Sequence, residues 1–389
     1  MTPDHRPLDV FIVAGEDSGD QLGFKLMRAL RAATGDRVRF AGVGGAAMAE
    51  EGLVSLFPLS EIAVMGFLPV IARLPSLLKR IKETAAAAIK ARPDVLVIVD
   101  SPDFTHRVAR RVRTALPDLP IVDYVSPSVW AWRPGRSPAM RAYVDEVMAL
   151  LPFEPQSHLE LGGPACTYVG HPLIERLAEF RPNAEEAAAR EASPPTVLVL
   201  PGSRRAEIAR LMPVFGEVLE RVAAEGGPVD FVLPAVDHLA GAIEKAIADW
   251  PVKPRIVRGE AEKWAAFRRA RAALAASGTV TLELALAAIP MVAAYRVNAL
   301  EAAFVRKVIR VPSVLLPNII LGKQAVPEFL QQDCTAPRLA AALIPLVRGG
   351  LERERQCKEL RRLDDFMRLP GDQTPSERAA QVVLATARR

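Results

Sequence analysis

Two short strings place acid groups where a hydroxyl could lose its proton. Residues 96–104 read LVIVDSPDF. An apolar strand delivers Asp100 at its carboxyl end, and Ser101, Pro102 and Asp103 then turn the chain. A carboxylate so placed can act as general base on a hydroxyl nucleophile. Asp103 is expected to cap the helix that follows, and Asp100 to do the chemistry. Residues 14–23 read AGEDSGDQLG. Gly15 permits a tight turn, and Asp17 or Ser18 suits the cap of the next helix. Glu16 is left at the strand tip as the second acid–base candidate.

Two further strings suit an anion. In LPGSRRAEI, residues 200–208, Gly202 and Ser203 bring backbone N–H groups close to a ligand. Arg204 adds a bidentate phosphate donor. In ASGTVTLELA, residues 276–285, Ser277, Gly278 and Thr279 open a helix. Its orphan N–H groups and dipole favour a phosphate there. Glu283 lies one helical turn beyond Thr279 on the same face, where it can accept from ribose hydroxyls. Together the two strings read as a nucleoside diphosphate site. There is no D-x-D pair to hold a divalent ion, so arginine and helix N-termini must carry the charge of a leaving diphosphate. His5, His106, His158, His171 and His238 do not cluster, and Cys166, Cys334 and Cys357 lie far apart. No metal site, disulfide framework or cofactor is expected. GVGGAAM, residues 42–48, lacks the third glycine of a dinucleotide fingerprint and follows the second strand, which disfavours a nicotinamide enzyme.

These residues need strands to deliver them. DVFIVAG, VRFAGVGG, DVLVIVD, PIVDYVS, EVMALLP and TYVGHP are near-continuous apolar runs, the pattern of strands covered on both faces. Ala-, Leu- and Arg-rich helical stretches alternate with them. After a proline-containing stretch near 180–195, the pattern restarts with TVLVLPGSR, VDFVLPA, RIVRG, RAALAASGT and IPMVAAYR. The fold class expected is α/β: two Rossmann-like domains facing across a cleft, with ligands beyond the carboxyl ends of the strands. The expected domains are 1–180 on the acceptor and membrane side, 190–347 on the donor side, and charged C-terminal helices over 348–389 that pack back on the body.

At 389 residues the chain exceeds one ordinary core. Half of it is hydrophobic, a quarter is charged, and the net charge is +5, which suits an anionic partner. The basic residues are scattered, without the aromatic-interleaved strip of a nucleic-acid module, so nucleic acid is not an expected partner. The first residues do not read as a signal peptide. No run of about 18 apolar residues appears, so a spanning helix is not expected.

Taken together, VAGEDSGD, GVGG, AVMG, DSPDF, YVSPSVWAWR, LPFE, GHP, LPGSR, SGT with its following LE, PMV with YR, and LPNIILG resemble the lipid-A-disaccharide synthase family. They stand in that family's order and spacing from about residue 9 to residue 345. Asp17 and Lys323-Gln324 depart from its usual pattern. The resemblance implies a GT-B glycosyltransferase of lipid A biosynthesis. Such an enzyme joins UDP-2,3-diacylglucosamine to 2,3-diacylglucosamine 1-phosphate, giving the β-1′,6-linked disaccharide 1-phosphate and UDP. Inversion at the anomeric carbon requires in-line attack by the acceptor 6-hydroxyl. The alternative is another UDP-sugar transferase, or a UDP-sugar 2-epimerase, on the same fold. Asp100 matches the family's proposed base. Arg204, Ser277, Gly278, Thr279, Glu283 and Asn318 match positions expected around UDP. The resemblance also points to a homodimer, and to a cytoplasmic enzyme associated peripherally with the inner membrane.

Acylated substrates give two stretches a meaning. YVSPSVWAWR, residues 124–133, holds two of the chain's four tryptophans. Trp130 and Trp132 are expected to form an apolar wall for acyl chains or the sugar face, one of them in the core, with Arg133 near a phosphate. VMGFLPVIARLPSLLKRIK, residues 64–82, is apolar early and basic late, and Pro69 and Pro75 break it. It suits an interfacial segment, with Met65, Phe67 and Leu68 in the acyl boundary and Arg73, Lys79, Arg80 and Lys82 toward anionic head groups.

Overall fold

The computed structural model describes residues 6–62, 74–298, 311–371 and 373–388. They form two compact units: Met1–Ile174 with Leu369–Arg389, and Glu175–Arg368.

The first unit is built on six parallel strands: β1 Leu8–Ala14, β2 Val38–Val43, β3 Val95–Val99, β4 Ile121–Tyr124, β5 Glu146–Ala149 and β6 Ala165–Tyr168. Their order is β2-β1-β3-β4-β5-β6. Successive residues of a strand point to opposite faces. Thus Val10, Ile12, Val95, Val97 and Val122 enter one core, and Phe11, Val13, Leu96, Ile98 and Ile121 the other. Helices cover both faces, which is why the strands read as unbroken apolar runs. Each such buried side chain contributes about 1.5–3 kcal/mol.

The second unit repeats the plan with β7 Thr196–Leu200, β8 Asp230–Ala235, β9 Arg255–Arg258, β10 Ala270–Ala276, β11 Met291–Tyr295 and β12 Glu328–Leu330, in the order β12-β11-β10-β7-β8-β9. Read from β9, that is the 3-2-1-4-5-6 order of a Rossmann sheet. The expected fold class, two Rossmann-like domains, is what the sheets form.

In each sheet the order reverses at one place, between β1 and β3 and between β7 and β10. A crevice opens at such a switch point, because the connections on either side leave for opposite faces. Asp100 follows β3 and Glu16 follows β1; Arg204 follows β7 and Ser277 follows β10.

The C-terminal stretch does not act as one element. Leu351–Arg361 and Leu363–Met367 lie in the second unit, where Gln356, Cys357 and Leu360 are buried. The last helix, Pro375–Ala387, returns to the first unit and inserts Ala379, Ala380 and Val383 beside Val10, Ile12 and Leu26. Small apolar residues gathered on one face of this helix account for that docking.

Candidate functional site

In the first unit the tips of β1 and β3 touch. A Cβ at position 15 would lie 2.2 Å from Ser101 Cβ, so only glycine permits the approach. Asp100 and Ser101 both adopt left-handed backbone, with φ of 53° and 46°. Such conformations cost non-glycine residues about 1–3 kcal/mol each and persist where surroundings hold them. Here Asp100 N–H donates to Tyr124 O at 2.9 Å, and Thr105 Oγ1 donates to Asp100 O at 2.6 Å. The Ser101 amide donates to Asp100 Oδ1 at 2.7 Å.

Glu16 and Asp100 share Ser18, whose hydroxyl lies 2.6 Å from Glu16 Oε1 and 3.4 Å from Asp100 Oδ2. Burial pushes the Asp100 carboxyl up to about 6; the Ser101 amide opposes the rise and the Glu16 carboxylate adds to it. A carboxyl so raised is a stronger base than an exposed aspartate and is still ionised at neutral pH.

The expected caps differ. Glu16 itself occupies the N-cap of the helix Asp17–Thr34, without a side-chain cap bond, and Ser18 serves the carboxylate pair. Asp103 makes no cap; its side chain is 85% exposed and meets Arg136 at 3.4 Å. Asp20 was missed by sequence reasoning. It is buried, and its carboxylate accepts the N–H groups of Gly45, Ala47 and Met48 at 2.7–3.1 Å. It thereby fixes the glycine-rich turn after β2 against the helix after β1. The repeated Gly-x-x-x-Gly spacing around Asp20 was the available signal.

The aromatic turn follows β4. Trp130 Nε1 donates to Glu154 Oε1 at 3.0 Å, and its ring meets Phe153 edge-on at 5.0 Å. Trp132 is half-buried, with the Arg133 guanidinium 4.2 Å from its ring centroid. Neither indole is fully buried. His171 is held neutral: burial lowers it to about 4, and its Nδ1 accepts from Leu173 N–H at 3.2 Å.

In the second unit a cavity of about 570 Å³ opens at the β7/β10 switch point. Gly202, Ser203, Arg204, Ser277, Gly278, Thr279 and Glu283 all line it. Gly202 has φ 111°, and a Cβ there would come within 2.5 Å of Glu207 Oε2. Arg204 stands at the N-cap of the 22-residue helix Arg205–Gly226; its side chain is 73% exposed and lies 3.5 Å from Glu207. The helix Thr279–Leu286 also begins at the cavity. Glu283 accepts from Lys263 Nζ at 2.6 Å through Oε2. Lys263, Glu207, Gly259, Glu260 and the Pro234–Asp237 stretch also line it and were not foreseen, because no phosphate or acid–base pattern marks them.

Asn318, expected at UDP, is 3% exposed and lies outside the cavity's lining. Its Oδ1 accepts the N–H groups of Ala325 and Val326 at 2.9 Å each, and its Nδ2 donates to Val326 O and Ser313 Oγ. All four side-chain hydrogen-bonding positions serve its own loop. Ser277 ties the same loop to β10, donating to Val314 O at 3.2 Å.

Met65, Phe67, Leu68 and Arg73 lie outside the described residues. Of the cations expected at lipid head groups, Arg80 is engaged elsewhere. It bonds Glu61 and Glu83 and covers the Phe57 ring at 4.6 Å. Lys79 and Lys82 are exposed. Among the described residues no helix is long and apolar enough to cross a membrane.

Comparison with known proteins joins these observations. The family model described as lipid-A-disaccharide synthetase matches residues 10–383. A lipid-A-disaccharide synthase from Rhodopseudomonas palustris (strain HaA2) is 57% identical over 380 residues, covering 98% of this chain and 96% of that protein. Among solved structures, the calicheamicin glycosyltransferase CalG4 matches with a TM-score of 0.58 at 17% identity, over 99% of each chain. A UDP-GlcNAc 2-epimerase from Neisseria meningitidis bound to UDP-GlcNAc matches with a TM-score of 0.57 at 12% identity, over 97% of this chain and 99% of that one. At such identities the two structures speak for the fold.

Proposed function

The chain belongs to the lipid-A-disaccharide synthase family, and from that premise we propose how its residues run the reaction. The enzyme is a glycosyltransferase of lipid A biosynthesis. It joins UDP-2,3-diacylglucosamine to 2,3-diacylglucosamine 1-phosphate, giving the β-1′,6-linked disaccharide 1-phosphate and UDP.

Asp100 is the general base for the acceptor 6-hydroxyl. The observation that carries this is its raised carboxyl at the β1/β3 switch point, beside Glu16 and Ser18. As the 6-oxygen attacks the anomeric carbon in line, its proton passes to Asp100 and the bond to UDP breaks on the opposite face. Ser18 keeps the two carboxyls in register, and the charge of Glu16 keeps Asp100 basic. Negative charge grows on the departing diphosphate. Arg204, the amides of Gly202 and Ser203, and the N-terminus at Ser277–Thr279 stabilise it. Glu283, held by Lys263, receives the ribose hydroxyls. Trp132 and Arg133, with Trp130 behind them, face the acylated acceptor.

The protein works as a peripheral enzyme at the cytoplasmic face of the inner membrane, as its acylated substrates require, and as a homodimer, as the family resemblance implies. Mass photometry at working concentration reads the second point.

The testing experiment measures UDP release from UDP-diacylglucosamine, with and without the acceptor and with EDTA present, for wild type and Asp100→Asn. Acceptor-dependent release that survives EDTA and collapses in the variant is expected. Release without acceptor would instead indicate an epimerase-like or hydrolytic site. An unimpaired variant would remove Asp100 from the role of base.

A further inference from the structure

The helix Glu154–Glu160 carries two buried polar side chains that the proposed reaction does not use. Glu154 is 3% exposed and His158 is fully buried. They are four residues apart, so they share one face of the helix. That face meets the segment after β4 at three points. His158 Nε2 lies 2.9 Å from Ser126 Oγ, Glu154 Oε1 accepts from Trp130 Nε1 at 3.0 Å, and His158 Nδ1 lies 3.0 Å from Ser137 Oγ. The contacts fall at the start, middle and end of the turn that carries Trp132 and Arg133. The second oxygen of Glu154 accepts from Leu151 N–H at 2.9 Å, which anchors the carboxyl to the loop after β5. Gly163 must lack a side chain here: a Cβ would lie 2.2 Å from Ser137 Oγ and 2.7 Å from His158 Nδ1.

We propose that Glu154 and His158 are positioning residues that clamp the aromatic turn at Ser126, Trp130 and Ser137, so that Trp132 and Arg133 at its apex meet the acceptor already ordered. This rests on the reading of Trp132 and Arg133 as acceptor contacts. The physical argument has two parts. Most of the turn's backbone hydrogen bonds lie within it, such as those of Ala131 N–H and Trp132 N–H to Ser128 O at 3.0 and 3.1 Å and of Ser137 N–H to Pro134 O at 3.1 Å, while Val125 N–H, donating to Met148 O at 3.1 Å, ties its start to β5. The side chains of Glu154 and His158 add the ties at its middle and end. Ordering the apex before binding removes an entropy cost that the acceptor would otherwise bear. The buried Glu154 carboxyl, pushed up to about 7 by burial, accepts the indole N–H whether or not it is ionised.

The test compares Glu154→Leu, Glu154→Gln, Trp130→Phe and Trp132→Ala by acceptor KM, donor KM and kcat. Glu154→Leu is expected to raise acceptor KM about tenfold, equivalent to about 1.4 kcal/mol, and to leave donor KM unchanged. Glu154→Gln keeps one oxygen that accepts from the indole but turns its NH₂ toward Leu151 N–H, so its acceptor KM is expected to lie between those of wild type and the Leu variant. Equal rises in both KM values, or no rise in the Leu variant, overturn the clamp. If the Leu variant does not fold, Trp130→Phe removes the same hydrogen bond and keeps an aromatic ring at the position; unchanged acceptor KM there also overturns it. Trp132→Ala tests the reading beneath. Unchanged acceptor KM in that variant overturns the acceptor role of the turn and with it the clamp's function. A rise there without one in Glu154→Leu overturns the clamp alone.

Discussion

Asp100 is a carboxyl whose surroundings oppose its charge, and that sets two opposite pH dependences. As a base it must be ionised, so kcat/KM is expected to fall as pH drops below about 6, the value to which burial and Glu16 raise it. Asp100→Asn should lower kcat by about 10²–10⁴-fold. Stability runs the other way. The folded carboxyl titrates near 6 and the unfolded one near 3.8, so between those values the folded state binds more protons. Stability contributed by the protonated form is present below 3.8 and is lost as pH rises through 6, a cost of up to about 3 kcal/mol. Asp100→Asn removes that cost. Its melting temperature should exceed wild type at pH 8, and the two should converge below pH 4. A variant that is inactive yet more stable at pH 8 separates a functional carboxylate from a structural one. Equal melting temperatures at both pH values would mean the group is not desolvated in the fold.

At the scale of elements, each site residue depends on a loop held by another element. Asp20 on the helix after β1 holds three amides of the turn after β2. Asp20→Asn turns an NH₂ toward some of those N–H groups, and should lower the unfolding free energy by about 1–3 kcal/mol, read as a lower urea midpoint with an unchanged slope. Asn318→Ala strips four hydrogen bonds from the loop 313–326. It should destabilise the protein in the absence of UDP by a similar amount per group left unpaired. A residue acting only as a ligand contact would leave the free protein's stability alone.

These two residues also mark what the sequence makes legible. The strands were readable because both faces of each sheet are covered, so periodicity collapses into runs such as VFIVA and VLVIV. The switch-point residues were readable because they follow such runs directly. β12 was not, since Glu328–Leu330 is short and half-buried and carries no apolar run. Nor were the partners of Asp20, 25 to 28 residues away, or those of Glu154, 24 residues away. A local pattern shows that a polar residue is unusual. It does not show whether the residue faces a ligand or a neighbouring loop, and Asn318 falls on that divide.

At the scale of the whole molecule, the chain must reach acylated substrates, and among the described residues no helix can cross a membrane. The net charge of +5 favours an anionic surface from any direction, but a surface contact needs a directed group. The start of the helix Leu74–Ala91 offers one. Leu74 is 44% exposed, and Lys79 and Lys82 are exposed one turn apart. Arg80 between them is turned inward by Glu61, Glu83 and the Phe57 ring, so it fixes the helix rather than meeting lipid. Each lysine near an anionic bilayer contributes about 1 kcal/mol, screened within about 8–10 Å at ordinary salt. Lys79→Glu with Lys82→Glu should therefore weaken binding to phosphatidylglycerol vesicles by at least about tenfold. Wild-type binding should fall when salt is raised, and vesicles of phosphatidylcholine alone should bind weakly. Turnover of detergent-dispersed substrate should be unchanged in the double variant, because neither lysine belongs to the acceptor or donor site. Vesicle binding equal to wild type would move the membrane contact away from this helix. Lost turnover in detergent would show instead that the two lysines act on the substrate itself.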